Sequence, residues 1–177
     1  MIYCVELAFT EPTREAEWSA WYSKHLGVLL SVPGFSTAQR FQSTSPCRAP
    51  YLAAYSVTGP GVFDSAPYRA RGGRASPGEW VPLMVNWDRN VFDGVVQMPE
   101  VKPDQVLLVV DGTADIENAS AKFPVKLTPL TCVGLDRTVT QRGIAVLAAS
   151  EFERYASYAS ENTRFFKPLT PRLRGAQ

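Results

Sequence analysis

The sequence predicts an α+β fold made of two β-α-β-β-α-β halves with antiparallel sheets. Three observations support this prediction. Apolar residues make up 45% and charged residues 20% of the chain, a composition that can bury a core. Short apolar segments rich in strand-forming residues alternate with helical patterns. The same order of elements then occurs twice, so we expect a first half at residues 1–98 and a second at 104–177.

The first half opens with the apolar segment Ile2–Phe9, which is rich in strand formers. Glu11-Pro12-Thr13 then predicts the start of a helix, because proline fits the first turn and acidic side chains favour the positive end of the helix dipole. The helical pattern runs from Thr13 to about Leu26. Val32-Pro33-Gly34 follows it and predicts a turn, since a residue before proline disfavours the helical conformation.

A hairpin, a short helix and a last extended segment complete the first half. The strands of the hairpin are expected at Phe35–Phe41 and Tyr51–Val57. A short helix is expected over residues 62–71. The extended segment runs from Trp80 to Gln97, with a turn predicted at residues 88–90.

The second half repeats this order after a linker around residues 99–103. The expected elements are a strand at 105–110, a helix at 115–123, a hairpin of 125–137 with 143–149, a helix at 151–163 and a last strand at 165–173. Pro168 and Pro171 predict that this last strand lies at the edge of its sheet, because proline cannot donate to a β-ladder.

Charge and cysteine usage argue against several classes of function. The net charge of +1 gives no concentrated basic surface for nucleic acid. No stretch approaches the roughly 20 apolar residues of a membrane helix, and the first residues lack the pattern of a secretion signal, so a cytoplasmic location is expected. Cys4, Cys47 and Cys132 are widely spaced and there is one histidine, so we expect no disulfide framework and no metal site.

The one histidine, His25, ends a stripe of aromatic residues on the first helix. The stripe consists of Trp18, Trp21, Tyr22, His25 and Leu29, at offsets 0, 3, 4, 7 and 11. A partly buried imidazole beside a ligand can accept and return a proton near neutral pH. The alternative is a structural role, in which the histidine packs near the end of the helix.

The segment Trp18–Phe41 resembles the dimeric α/β-barrel superfamily and, within it, the EthD-like proteins. The shared features are Trp21-Tyr22 followed by His25 on the first helix, then Val32-Pro33-Gly34-Phe35, then a strand that carries Arg40. The resemblance implies ferredoxin-like halves whose sheets form an α/β barrel, either within the chain or by dimerisation as a homodimer. It also implies a cleft between sheet and helices. Members of the superfamily include cofactor-free monooxygenases, isomerases, cyclases and haem-dependent enzymes, so the fold leaves the chemistry open.

Other candidate site residues lie on the strands that follow. Arg40 would bind a carboxylate or enolate, or else form a surface ion pair with a helix glutamate. Tyr51 and Tyr55 share one face of their strand and would line the cleft or pack in the core. Asn86, Trp87 and Asp88 fall in the last extended segment, where an amide could polarise an oxyanion or form a turn.

Together these residues suggest a small-molecule enzyme without an organic cofactor. His25 and Arg40 would be catalytic, acting on a cyclic or aromatic carbonyl-containing substrate in an isomerase, lyase or monooxygenase type of reaction. The substrate-binding residues would be Trp18, Trp21, Tyr22, Tyr51, Tyr55 and Trp87. The alternatives are a non-catalytic ligand-binding or structural protein, and haem bound through His25. A void of a few hundred Å³ beside His25 would favour a ligand site, whereas a packed stripe would favour the structural role.

Overall fold

The computed structural model describes residues 1–123 and 125–175, and positions 124, 176 and 177 of the predicted second half lie outside it. The strands are β1 (Ile2–Phe9), β2 (Phe35–Ser43), β3 (Tyr51–Val57), β4 (Met84–Asp93), β5 (Gln105–Asp111), β6 (Thr128–Leu135), β7 (Gln141–Ala148), β8 (Thr163–Pro168) and β9 (Leu173–Arg174). The α-helices are α1 (Glu15–Leu30), α2 (Ala66–Arg71), α3 (Thr113–Lys122) and α4 (Ala149–Tyr155). None of these helices is long and apolar enough to cross a membrane.

Eight of the strands close into one antiparallel barrel. Their order is β3-β1-β4-β6-β7-β5-β8-β2, and β2 pairs again with β3. Strands of the first half are contiguous, as are those of the second, and the two sets join at the β4–β6 and β2–β8 pairs. The α+β class is therefore confirmed, and the barrel closes within a single chain.

Both predicted hairpins are confirmed, since β2 pairs with β3 and β6 pairs with β7. The turn predicted at residues 88–90 is wrong, because β4 runs straight through these residues opposite Cys4, Val5 and Glu6 of β1. Asn90 is accommodated in a buried strand because its side chain donates to Thr138 Oγ1 (2.9 Å) and accepts from the Thr138 backbone N–H (2.9 Å).

The edge position predicted for the last strand is also wrong. β8 pairs with both β5 and β2, because a closed barrel leaves it no free side. Pro168 is tolerated as the last residue of β8, where its missing N–H interrupts nothing further along the strand. The helix predicted up to Thr163 ends earlier, since α4 stops at Tyr155 and Thr163 begins β8.

The side chains form three packed layers. The barrel interior holds apolar residues of both halves, including Phe41, Phe92, Leu107 and Phe166. Outside the barrel, α1 and α2 cover the first half and α3 and α4 cover the second, each over its own apolar cluster. A strand that is covered on both sides has two buried faces, which is why β1 shows six consecutive buried residues rather than an alternation of apolar and polar side chains. β6 is covered less completely and exposes Pro129 and Thr131.

Four charged side chains form a closed network inside the barrel, here called the charge quartet: Glu6, Asp111, Arg142 and Arg164. All four are at least nine-tenths buried. Arg142 binds Asp111 through two nitrogens, at 2.6 and 2.9 Å, and also pairs with Glu6. Arg164 donates to Glu6 Oε2 (2.6 Å) and Asp111 Oδ2 (2.5 Å). Each guanidinium therefore bridges both carboxylates, and β1 of the first half is tied to three strands of the second.

Burial by itself would raise the pKa of Glu6, but the guanidinium groups of Arg142 and Arg164 outweigh it and lower this pKa to about 2. The carboxylate is consequently charged at any pH at which the protein works. Removing one member of such a network leaves its partners buried without a counter-charge, which is far more costly than losing a surface pair.

We expect Glu6→Gln to lower the free energy of unfolding by about 3–5 kcal/mol at neutral pH, as measured by chemical denaturation. Because the pKa of Glu6 is lower in the folded protein than the ordinary value of 4.5, its stabilisation is present above pH 4.5 and is lost as the pH falls towards about 2. The difference between wild type and variant should shrink over that range. Glu100→Gln, which removes a half-exposed partner of Arg172 (3.0 Å), is the matched control and should cost less than about 1 kcal/mol. Equal losses in the two variants would contradict a special role for the quartet.

Candidate functional site

Helix α1 supplies one wall of a cavity that lies between it and the first-half strands. Trp21, Tyr22, His25 and Leu29 line this wall. They belong to the stripe predicted from the sequence, and α1 places them together because three- and four-residue spacings fall on one side of a helix. Trp18, the first residue of the stripe, is fully buried in the core and does not line the cavity.

The sheet supplies the opposite wall. Tyr3 and Val5 of β1, Tyr55 of β3, and Met84 and Trp87 of β4 line it. Tyr3 stacks on Tyr55 with ring centroids 5.5 Å apart. Tyr55 and Trp87 were both predicted as substrate-binding residues, and the structure brings them to the cavity that contains His25.

A β-bulge sets the direction of Trp87. Glu6 pairs with Asp88 and Ala8 with Val85, so Asn86 and Trp87 together face the single residue Leu7. Asn86 occupies the left-handed region at φ 50°, a conformation that asparagine tolerates better than most residues. The extra residue lets Met84 and Trp87 reach the same cavity, although they are three positions apart.

Asn86 and Asp88 themselves do not reach the cavity. The Asn86 amide donates to the backbone carbonyl of Arg48 (2.7 Å), and Asp88 pairs with the Arg48 guanidinium. The proposed oxyanion role of this amide therefore has no support from its position. The Asn86 amide instead fixes the backbone segment that carries Trp87.

Residues 72–78, here called the flap, close the remaining side. Gly73, Ser76 and Pro77 line the cavity between the end of α2 and a 3₁₀ helix at Gly78–Leu83. Tyr68 of α2 completes the lining. The enclosed space is about 20 Å³, which is room for one water molecule. The void of a few hundred Å³ that would accommodate a ligand directly is therefore not present in this closed arrangement.

His25 lies half-buried at the edge of this space. Its ring stacks on Trp21, with centroids 4.9 Å apart and planes 15° from parallel, and meets the ring of Tyr22 edge-on at 6.1 Å. Burial lowers the pKa of His25 to about 4. Within the described residues no carboxylate or other group hydrogen-bonds to the ring, so the imidazole is neutral near pH 7 and is available as a proton acceptor.

Two buried donors at the cavity lack partners. The Tyr55 hydroxyl and the Trp87 indole N–H are both inaccessible to solvent, and neither finds a hydrogen-bond partner in the described part of the chain. A buried polar group without a partner costs free energy, so such groups in native proteins usually serve a ligand or an ordered water. Burial also raises the pKa of Tyr55, which keeps its hydroxyl protonated as a donor.

Arg40 lies in a neighbouring aromatic cluster rather than in the cavity. Its guanidinium sits 4.6 Å from the ring centroids of both Trp18 and Tyr22 and 5.4 Å from that of Tyr51. One nitrogen donates to the Ser19 carbonyl (2.9 Å) and hydroxyl (2.8 Å). Arg40, Trp18 and Tyr51 therefore form one group that adjoins the cavity through Tyr22, and among the described residues Arg40 makes no ion pair.

The lining residues that the sequence analysis missed include three with large side chains: Tyr3, Tyr68 and Met84. The alternation along β1 contains a usable signal, because Tyr3 shares a face with Val5. Tyr68 gives no such signal, since its position depends on Gly72, where a Cβ atom would come within 2.4 Å of the tyrosine ring. Met84 reaches the cavity only because of the bulge at Asn86.

The arrangement around His25 does not fit haem. The space beside the ring is about 20 Å³, which is far too small for a macrocycle. Within residues 1–123 and 125–175, no group of three or more histidine, cysteine, aspartate or glutamate side chains is placed to hold a metal ion.

Two solved structures share the fold along the whole chain. A protein described as anthrone oxidase-like has a TM-score of 0.58 at 11% identity, covering 99% of this chain and 94% of its own. A protein from Lactobacillus acidophilus NCFM, named as a candidate monooxygenase, has a TM-score of 0.50 at 9% identity, covering 98% of both chains. No protein-family model and no curated protein matches the sequence. The likeness is one of fold.

The bulge makes a specific prediction about Asn86. Asn86→Val should lower stability by about 1–2 kcal/mol, because a β-branched residue is strained in the left-handed region. Asn86→Gly should retain wild-type stability, and Val85→Thr at the exposed neighbouring position is the control. Thermal unfolding measures all three. If Asn86→Val and Asn86→Gly unfold at the same temperature, the left-handed conformation at position 86 does not determine the stability of this segment.

The single histidine permits a direct test of its environment by NMR titration. We expect the His25 ring to titrate with a midpoint near pH 4 in the folded protein and near 6.5 in urea. Because the folded pKa lies below the unfolded one, the unfolded chain binds a proton first as the pH falls. The stability associated with neutral His25 is therefore complete above about pH 6.5 and is lost as the pH falls towards 4. His25→Gln should lack this dependence, and a folded midpoint near 6.5 would contradict the burial of the ring.

Proposed function

We propose that this protein is a small-molecule enzyme that uses the cavity beside His25 for acid/base chemistry on a cyclic or aromatic carbonyl compound. His25 accepts a proton from the substrate. Tyr55 and Trp87 donate hydrogen bonds to the oxygen on which negative charge develops. Trp21 provides a flat apolar wall against which a ring can lie.

The observation that supports this proposal is the meeting of a neutral imidazole with two unpartnered buried donors at one cavity. A proton acceptor and fixed donors for a developing oxyanion are the two elements that enolisation of a carbonyl compound requires. Here they come from α1, β3 and β4, whose positions are held by the barrel and by the core beneath α1.

The low pKa of His25 constrains the kind of substrate. A weak base removes a proton efficiently only when the resulting anion is well delocalised, as in a conjugated cyclic ketone or an aromatic hydroxy compound. The same burial that lowers the pKa disfavours the imidazolium ion, so the proton is returned soon after it is taken. Return to a different atom of the substrate would give isomerisation, and loss of a leaving group would give elimination.

The names of the two structural neighbours fit an oxidative version of this chemistry. One is described as anthrone oxidase-like and the other as a candidate monooxygenase. A delocalised carbanion is the species that dioxygen would attack in such a reaction. We propose that the chain performs its chemistry without an organic cofactor, with dioxygen as co-substrate if the reaction is of the monooxygenase type.

Arg40 takes a positioning role in this proposal. Its guanidinium packs on Tyr22, which lines the cavity, and on Trp18 and Tyr51, which do not. A cation held between aromatic faces fixes the rings that it touches. Trp18 and Tyr51 thus support Tyr22 rather than contact the substrate.

A non-catalytic role is the second candidate, and the small size of the cavity favours it. With about 20 Å³ of space, and with Trp18 and Tyr22 in the core, the stripe of α1 can be read as packing alone. In that case the unpartnered Tyr55 and Trp87 groups would bind a single buried water.

We also propose that the barrel consists of two ferredoxin-like halves. The strand orders β4-β1-β3-β2 and β8-β5-β7-β6 support two ferredoxin-like halves, with boundaries near residues 98 and 104. The aromatic helix with its histidine supports an EthD-like relationship. A homodimer and a cytoplasmic location remain predictions from the sequence.

The test uses a panel of cyclic lactones, aromatic acids and conjugated cyclic ketones, assayed for turnover in air and under nitrogen. For any compound that is turned over, His25→Ala should reduce kcat by about 10²–10⁴-fold while the circular dichroism spectrum is unchanged. Tyr55→Phe should reduce kcat by about tenfold or more, because one donor to the oxyanion is lost. Tyr158→Phe makes the same chemical change at an exposed site in the second half and should have no effect. Full activity in His25→Ala would remove His25 from the mechanism.

A further inference from the structure

The closed cavity raises the question of how a ring-sized substrate enters it. Three of its sides consist of helix α1 and the barrel strands, which are held by β-ladders and by a large apolar core. The fourth side is the flap. We propose that the flap opens to admit substrate and that an ion pair between Arg74 and Asp136 is the latch that holds it closed. This inference rests on the function proposed above.

The flap has few ties to the rest of the protein. Its backbone hydrogen bonds are all local. Ser76 N–H donates to the Gly73 carbonyl (3.3 Å) and Gly78 N–H to the Ala75 carbonyl (3.1 Å), while Gly72 N–H donates to the Tyr68 carbonyl (2.7 Å) and Trp80 N–H to the Pro77 carbonyl (3.2 Å) at the two ends. Gly73 and Gly78, near its two ends, have φ of 86° and 59°, conformations that only glycine adopts freely. Short local turns between two such residues can move as a unit without disturbing a strand or a helix.

Apart from the local backbone bonds, including that between Trp80 N–H and the Pro77 carbonyl, Arg74 provides the hydrogen bonds that tie residues 73–77 to other parts of the described chain. It donates to the Trp87 carbonyl (3.0 Å) and to Asp136 Oδ2 (2.5 Å). Its guanidinium lies 5.3 Å from the ring centroid of Trp87. The side chain therefore joins the flap to the strand that carries a cavity residue.

Asp136 is a fixed point for this latch. It lies in the loop between β6 and β7, and it also accepts from the Arg89 backbone N–H (2.9 Å) while its own N–H donates to the Arg89 carbonyl (2.9 Å). These bonds hold Asp136 against β4. The latch consequently connects a loop of the second half to the candidate site of the first half.

The strength of the latch suits a gate. The Arg74 side chain is 47% exposed and that of Asp136 is 20% exposed. Partly exposed ion pairs contribute little to stability, of the order of a factor of two to five in an equilibrium. Such a pair keeps the flap mostly closed and still permits frequent opening, and salt should weaken it.

Access to the cavity can be measured without knowing the substrate, because His25 is the only histidine in the chain. Diethyl pyrocarbonate modifies neutral imidazole. The half-buried ring of His25 gives a basal rate of reaction at pH 7, and an increase above that rate reports opening of the flap. We expect Arg74→Ala and Asp136→Asn each to increase this rate by about two- to fivefold. The double variant should react about as fast as Arg74→Ala, because that substitution already removes the pair with Asp136 together with the bond to the Trp87 carbonyl.

Glu100→Gln is the matched control, since it also converts a carboxylate that pairs with an arginine into an amide, at Arg172. Its rate should equal that of wild type. Wild type in about 1 M salt should approach the rate of Arg74→Ala, which should itself be insensitive to salt. The salt experiment on wild type needs no substitution. Circular dichroism of each variant tests whether unfolding, rather than flap opening, increases the labelling rate.

Equal labelling rates in wild type, Arg74→Ala and Asp136→Asn would overturn the latch. That outcome is separate from failure of the proposed function, which would be seen as full turnover in His25→Ala. Faster labelling in the latch variants together with unaltered turnover in His25→Ala would retain the gate and reject the catalytic role.

Discussion

Closure of the barrel around a buried charge network is the constraint from which the other features follow. Glu6 enters this network from the first half, and Asp111, Arg142 and Arg164 enter it from the second. Separating the halves would break the pairs of Glu6 with Arg142 and Arg164 and would leave Asp111 alone to balance two guanidinium groups. Taking one partner out of a buried ion network is strongly destabilising. The chain therefore forms one closed sheet instead of two independent units, although its element order repeats.

Closure also explains how a single strand serves both the interior and the candidate site. Along β1, Glu6 points into the barrel while Val5 and Tyr3 point outward under α1. A one-residue change of register would exchange these faces, so the charge network and the cavity wall depend on the same pairing. The bulge at Asn86 breaks the alternation between β1 and β4, and Trp87 lies there. The cavity is thus built on a hydrogen-bonded sheet, and the flap that we propose to open lies outside that sheet.

How far the sequence predicts the site depends on how local each signal is. The stripe of α1 correctly groups Trp21, Tyr22 and His25, because a helix brings residues three and four apart together whatever the rest of the fold. Arg40 was assigned the correct face of its strand but not the correct place along it. It lies beside Ser19, six residues before His25, which is about 9 Å along the helix. The alternation along a strand predicts which face of the sheet a side chain is on. The position of that side chain along the axis of a packed helix is set by tertiary packing.

The sequence alone determined the α+β class, the order of the elements, both hairpins and the aromatic stripe that ends in His25, because these depend on residues close together in the chain. Only the tertiary structure decided that the last strand is central rather than an edge, that the barrel closes within one chain, and that the space beside His25 has room for a single water molecule. These properties depend on contacts between residues far apart in the chain, such as Glu6 with Arg164. Periodicity contains no information about such partners, so the charge quartet and the latch at Asp136 could be found only once the strands were in place.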